Sequence, residues 1–159
     1  GDIENFEANY PYLSSSSSSY ADAIVALLET SGPAIVLPHS AAGPQAVKAA
    51  LEKPELVSGF VLVEPTGPPT DSEFPALAGK FMLGVYGDYI DSRRQSGRKA
   101  AVEAAAVLFS QNGGAGVVSS MPDDTGFKGN THLLMQDDLN VVISDRIIDL
   151  LSEPIDNTP

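Results

Sequence analysis

The chain contains no cysteine, which excludes disulfides, thiolate nucleophiles and cysteine-ligated metals and leaves the redox compartment unread. With only two histidines besides, a structural zinc site has too few ligands of the right kind. Cations are also scarce: 9 Lys and Arg stand against 21 Asp and Glu, a formal net charge of −12. Such a surface repels phosphate groups, so neither nucleic acid nor an anionic membrane surface is an expected partner. No apolar run approaches the roughly 18 residues that a membrane span requires.

Glycine-rich and acidic clusters are present but carry the wrong grammar. Gly113-Gly114-Ala115-Gly116 follows a helical pattern and precedes a strand, the reverse of a dinucleotide-binding loop. Asp123-Asp124 and Asp137-Asp138 lack the spacing and turn glycine of a calcium loop and read as solvated carboxylates. Arg93, Arg94, Arg98 and Lys99 gather four of the nine cations and read as the solvated flank of a helix. No metal or cofactor is expected.

What the chain does have is a core. Its 159 residues, 43% hydrophobic and 19% charged, suit one packed domain. Residues 1–19 end in six serines, Ser14 to Ser19, and read as a flexible surface segment. Residues 20–153 carry the periodic patterns, and 154–159 form a tail. Tyr20 to Thr30 is helical, with Ile24, Leu27 and Leu28 on one face. Ala34 to Leu37 is a short strand, Gly43 to Lys53 a helix closed by Pro54, and Val57 to Val63 a continuous apolar strand of the kind buried on both sides. Phe81 to Tyr86 and Val117 to Ser119 read as further strands. Arg98 to Gln111 and Asp137 to Leu151 read as helices, the first with Val102, Ala105, Ala106 and Phe109 aligned. Strands alternating with helices predict an α/β fold with a parallel sheet.

The stretch Pro38-His39-Ser40-Ala41-Ala42-Gly43 stops a buried strand at a serine and starts a helix at once. That is the plan of a nucleophile elbow, where small residues let strand and helix backbones approach around a strained serine. It departs from G-x-S-x-G at both glycines, with Pro38 and Ala42 in their places. The N–H of Ala41, at the start of the helix, would face an oxyanion formed on an ester carbonyl. His132, in the loop before the last helix, is a candidate general base, because active sites of open parallel sheets gather at the carboxyl ends of the strands. His39 reads as a packing or hydrogen-bonding neighbour. Two carboxylates compete to orient His132: Glu64, at the end of the second strand, and Asp88, after the third. Pro65, Phe74 and Leu77, in the short proline-rich excursion that follows Glu64, are candidates for the rim of an apolar pocket, with core packing an equal alternative for Phe74 and Leu77.

Three stretches, Leu37 to Pro44, Val63 to Pro69 and Gly129 to Asp137, read H-S-x-x-G-P, E-P-x-G-P and G-N-x-H-x-x-M-x-D. They resemble a group of bacterial and fungal α/β-hydrolase esterases. The resemblance covers about Ala34 to Leu151 and implies a Ser40–Glu64–His132 triad, with the glutamate after the sixth strand of the complete fold. Glu64 follows Ser40 by 24 positions, in keeping with that group. Ala41 and Ala42 replace the polar pair more usual after the serine. Nothing in the chain corresponds to the first half of such an enzyme.

The expected protein is therefore the C-terminal half of an α/β-hydrolase fold, acting as one chain of a two-chain carboxylic ester hydrolase. The precursor would be cut before Gly1, and its N-terminal chain would complete the sheet and supply the second oxyanion donor. A sheet ending at the elbow strand would otherwise leave a long unpaired edge. A small-molecule ester is the expected substrate, a dimer of the two-chain unit is an open assembly, and the acidic, processed chain points to secretion. The competing expectation keeps the fold without hydrolysis: a lyase or a non-catalytic small-molecule binder using the same pocket.

Overall fold

In the computed structural model, which describes residues 20–152, the chain folds as four parallel strands between helices. The Ser-rich 1–19 segment and the 154–159 tail lie outside the described residues. The order is α1 (Tyr20–Ser31), β1 (Ala34–Val36), α2 (Gly43–Glu52), β2 (Val57–Val63), β3 (Phe81–Tyr86), α3 (Ser96–Gln111), β4 (Ala115–Ser120) and α4 (Asn140–Ser152). The strands lie side by side in chain order, β1-β2-β3-β4, all parallel. This is an α/β architecture, a parallel sheet flanked by helices.

Alternation along the strands divides the core in two. Phe60 and Leu62 of β2 and Met82 of β3 point to one side, where Leu28 of α1, Ala46, Val47 and Ala50 of α2, and Ala105, Ala106 and Phe109 of α3 cover them. Val61 and Val63 of β2 and Leu83 and Val85 of β3 point to the other, against Ile143 and Ile147 of α4. Because both faces of β2 are covered from Gly59 onward, its sequence there is apolar, and the polar Ser58 falls at the one exposed position. Burying a side chain such as Phe60 or Leu62 contributes about 1.5–3 kcal/mol, enough for these layers to outweigh weak local propensities.

Several expectations change. Phe74 and Leu77 are not on a pocket rim: both are buried in the helix-covered half of the core. Phe74 meets the Phe109 ring edge-on at 5.9 Å between centroids, an arrangement aromatic quadrupoles favour. The short helical turn Phe74–Leu77 aims both side chains inward, so the excursion after Glu64 closes the core. In α1, Leu28 is buried but Leu27 is 66% exposed, so the apolar face is narrower than its periodicity implies. The loop after β4 opens with a helical turn, Met121–Thr125, tied by Asp124, whose carboxylate accepts from Ser119 Oγ at 2.9 Å and the Ser120 N–H at 2.8 Å. That acid braces a strand end despite its exposure.

Candidate active site

Pro38 and His39 leave β1 still in register with β2: the Val63 N–H donates to the Pro38 carbonyl at 3.0 Å, and His39 forms a bridge with Val63. The chain then turns at Ser40, whose φ is +54°. A non-glycine residue there is strained, costing about 1–3 kcal/mol, and such strain persists only where surrounding structure imposes it. Here the imposition comes from both sides. A short helical turn, Ser40–Ala42, runs straight into α2, and the Ser40 carbonyl accepts N–H groups from Gly43 and, at 3.1 Å, from Thr66. The serine side chain is left projecting over the carboxyl ends of the strands.

Glu64, the first residue beyond β2, also has a positive φ, +40°. Its N–H donates to the Val85 carbonyl at 3.0 Å, which fixes it to β3 and turns its side chain beneath the loop carrying His132. That loop is laced to its neighbours. The Asp88 N–H donates to the Asn130 carbonyl at 2.9 Å. Asp137 accepts the Thr131 N–H at 2.5 Å and its hydroxyl at 3.0 Å. So Asp137 is a loop tie rather than a free solvated carboxylate.

The structure brings three side chains from these segments into one hydrogen-bonded line. Ser40 Oγ lies 3.0 Å from His132 Nε2, and His132 Nδ1 lies 2.6 Å from Glu64 Oε2. With the ring proton on Nδ1, the imidazole donates to the carboxylate and can accept the serine O–H. His39 donates or accepts no part of that line; its Nε2 meets the His132 carbonyl at 2.7 Å, with the two rings 4.4 Å apart. Asp88 is not brought to the ring. Its carboxylate accepts N–H groups from Tyr89 at 2.8 Å and Gly129 at 3.0 Å, and these bonds hold it below the ordinary aspartate range.

The sequence reading missed Arg93. Far from being solvated, it folds back onto Glu64 as a fork, Nη1 to Oε2 at 2.6 Å and Nη2 to Oε1 at 2.8 Å. Gly87 adds its N–H to Oε1 at 2.9 Å. Burial, the largest influence, pushes Glu64 up, but the Arg93, His132 and Gly87 hydrogen bonds and the Arg93 charge together hold it below its ordinary 4.5. Glu64 in turn raises Arg93. A cation in a short run of basic residues offers no signal to separate it from its solvated neighbours; only the loop's return path does.

Pro65 is buried against α2. Beside Ala41 an apolar groove of about 700 Å³ opens between Tyr20, Ile24 and Leu27 of α1 and Ala41, Ala42 and Gln45. No cluster of three or more metal-binding side chains occurs among the described residues. No helix among them is long and apolar enough to cross a membrane.

Sheet order, elbow and flanking helices are those of the α/β-hydrolase superfamily, and known structures agree. One similar structure, described as a novel bacterial esterase, superposes with a TM-score of 0.77 at 29% identity, covering 82% of this chain and 41% of its own. A predicted CIB-like hydrolase from Thermoplasma acidophilum shares the fold, with a TM-score of 0.55 at 15% identity over 82% of this chain and 57% of that one. In sequence, a protein of Fungal sp. (strain ATCC 74256) described as "Probable secreted lipase phiG" is 48% identical over 50 residues, 31% of this chain and 14% of that protein. The chain thus spans less than half the length of the esterase and a small part of the lipase. No protein-family model matches it.

Proposed function

We propose that the chain is the nucleophile-bearing, C-terminal part of a serine esterase that hydrolyses a carboxylic ester of a small molecule through an acyl-enzyme. One observation carries this reading: the continuous line from Ser40 Oγ through His132 to Glu64, at 3.0 and 2.6 Å, with the serine held at a strained turn. His132 takes the Ser40 proton as Oγ attacks the ester carbonyl, and gives it to the departing alkoxide as the tetrahedral intermediate collapses. Glu64 keeps the ring in the required tautomer and stabilises the imidazolium. Water, deprotonated by the same imidazole, then releases the acid and restores Ser40. The Ala41 N–H serves as one oxyanion donor. The apolar groove beside Ala41 receives the apolar part of the ester.

The remaining donor and the rest of the sheet come from further polypeptide, which we assign to the N-terminal chain of the same precursor. Among the described residues β1 pairs on one side only, with β2, and Ile35 and Leu37 at this edge are 44% and 54% exposed. Unpaired, apolar edges of this sort recruit a strand or aggregate. The description of the fungal relative as secreted favours export of the assembled enzyme.

Fluorophosphonate labelling tests the chemistry. A covalent adduct on Ser40, lost in Ser40→Ala and His132→Ala, is the expected result. An intact assembly that takes no label would instead point to a lyase or a binding protein on the same fold. Denaturing mass analysis tests the assembly: a second polypeptide in equal amount is expected, and this chain alone, stable and active, would refute it.

A further inference from the structure

We propose that Arg93 is a positioning residue for this hydrolysis, its guanidinium locking the Glu64 carboxylate beneath His132 and keeping it ionised through the catalytic cycle. The inference rests on the serine-esterase reading and assigns a role to a residue outside the Ser–Glu–His line.

The need for such a residue follows from the choice of glutamate. Glutamate has one more rotatable bond than aspartate, so its carboxylate must be fixed by more than its own backbone. Its side chain is 0% exposed, and a buried carboxylate without a counter-charge takes up a proton readily. The guanidinium answers both demands. It bonds each oxygen once, so the carboxylate plane cannot rotate without breaking a charge-assisted bond, and it shares Oε2 with His132 Nδ1. If protonated, Glu64 could no longer stabilise the imidazolium.

Arg93 is itself built into place. Its Nη2 donates to the Asp88 carbonyl at 2.7 Å and its Nη1 to Gln95 Oε1 at 3.2 Å. Its N–H donates to the Tyr89 carbonyl at 3.0 Å, and the Gln95 N–H to that of Ile90 at 2.9 Å. Tyr89 and Arg94 both sit at positive φ, +62° and +57°. A surface loop with no task has no reason to hold two strained residues around one arginine. Other titratable groups face the site from the neighbouring elements. The elbow contributes His39, the loop after β3 contributes Asp88, and the loop beyond His132 contributes Asp137, which also attracts Arg93. Tyr86, at the end of β3, is itself pushed up by burial and by Glu64. Arg98 acts on Tyr86 and Lys128 on Asp88, whereas Arg93 is the cation in contact with Glu64.

The test uses the full-length assembly and compares Arg93→Met, Arg93→Gln and Arg93→Lys. Readouts are kcat and KM on a short p-nitrophenyl ester, the pH profile of kcat/KM, and titration of the Glu64 carboxyl by ¹³C NMR. Arg93→Met should lower kcat on the order of 100-fold, as misplacement of a reacting group by about an ångström does, with KM little changed. Its acid limb and its Glu64 titration should both move to higher pH, and Arg93→Gln should follow. Arg93→Lys keeps the charge but not the fork, so it should lose rate while its acid limb stays near wild type. If Met and Gln leave both pH readouts in place, Arg93 is a structural anchor and the inference fails, even where kcat falls. Should Arg93→Met not fold, the contrast between Gln and Lys decides. Absence of Ser40-dependent turnover in the wild type would sink the esterase reading instead. The Glu64 titration, which needs no turnover, still decides the role of Arg93.

Discussion

Gly43 and Pro65 touch so closely that a Cβ on the glycine would stand 2.8 Å from the proline Cβ. This seam joins the first turn of α2, just beyond Ser40, to the residue that follows Glu64. The Thr66 N–H bond to the Ser40 carbonyl runs along it. Gly43→Ala must push the two segments apart by several tenths of an ångström, and neither side is a flexible side-chain tip. We expect a loss of about 1–3 kcal/mol, typical of overpacking, together with slower turnover. Urea unfolding and steady-state kinetics measure both; wild-type values in each would mean that the seam yields freely.

Strain at the elbow can be read in stability. Ser40 at φ +54° costs about 1–3 kcal/mol as a non-glycine residue, while a glycine there gives back about 0.4–1 kcal/mol through the unfolded chain. Relief wins. Ser40→Gly should therefore be more stable than Ser40→Ala by about 1 kcal/mol, with both unreactive to fluorophosphonate. Equal denaturant midpoints would show that the turn is held without strain.

The two competing carboxylates separate cleanly under amide substitution. Glu64→Gln removes the charge that faces His132 and invites the wrong tautomer; a fall in kcat on the order of 10⁴-fold is expected, as when a triad carboxylate becomes an amide. Asp88→Asn keeps an oxygen for only one of the Tyr89 and Gly129 N–H groups, which bond separate oxygens. It leaves the contact between Glu64 and His132 in place, so kcat should stay within a few-fold of wild type. The opposite ranking in a kcat comparison would transfer the orienting role to Asp88.

Acid should weaken the fold through Glu64. Burial pushes this group up, yet the Arg93, His132 and Gly87 bonds and the Arg93 charge leave it below 4.5. The unfolded chain therefore binds its proton more tightly than the folded one. The stability this contributes is complete above pH 4.5 and is lost as pH falls through the lowered folded value. Urea midpoints taken between about pH 6 and pH 3 should fall more steeply for the wild type than for Glu64→Gln, which has no proton to take up there. Parallel curves would mean that the carboxyl is not held low.

Much of the fold was legible because burial leaves a periodic trace. The apolar run Phe60 to Val63 of β2, the aligned Val102, Ala105, Ala106 and Phe109 of α3, and the strand–serine–helix junction at Ser40 all announce themselves in one dimension. Helix ends were read less closely: α3 begins at Ser96 and α4 at Asn140, because a first turn is set by capping and loop geometry more than by hydrophobic spacing. Leu27 shows the limit of periodicity, since a helix exposes part of any apolar stripe that its neighbours do not cover.

By itself the sequence determined the order of strands and helices, and with it the short set of chemically capable residues at the carboxyl ends of the strands. It could do so because hydrophobic spacing and residue type are properties of the chain. Only the tertiary structure decided which carboxylate meets His132, that Phe74 and Leu77 point into the core, and that Arg93 leaves its basic neighbours to grip Glu64. Each of these depends on where a loop returns in space, over separations of 29 residues for Arg93 and Glu64 and 68 for Glu64 and His132. Backbone hydrogen bonds and positive-φ turns set those paths, and no local pattern records them.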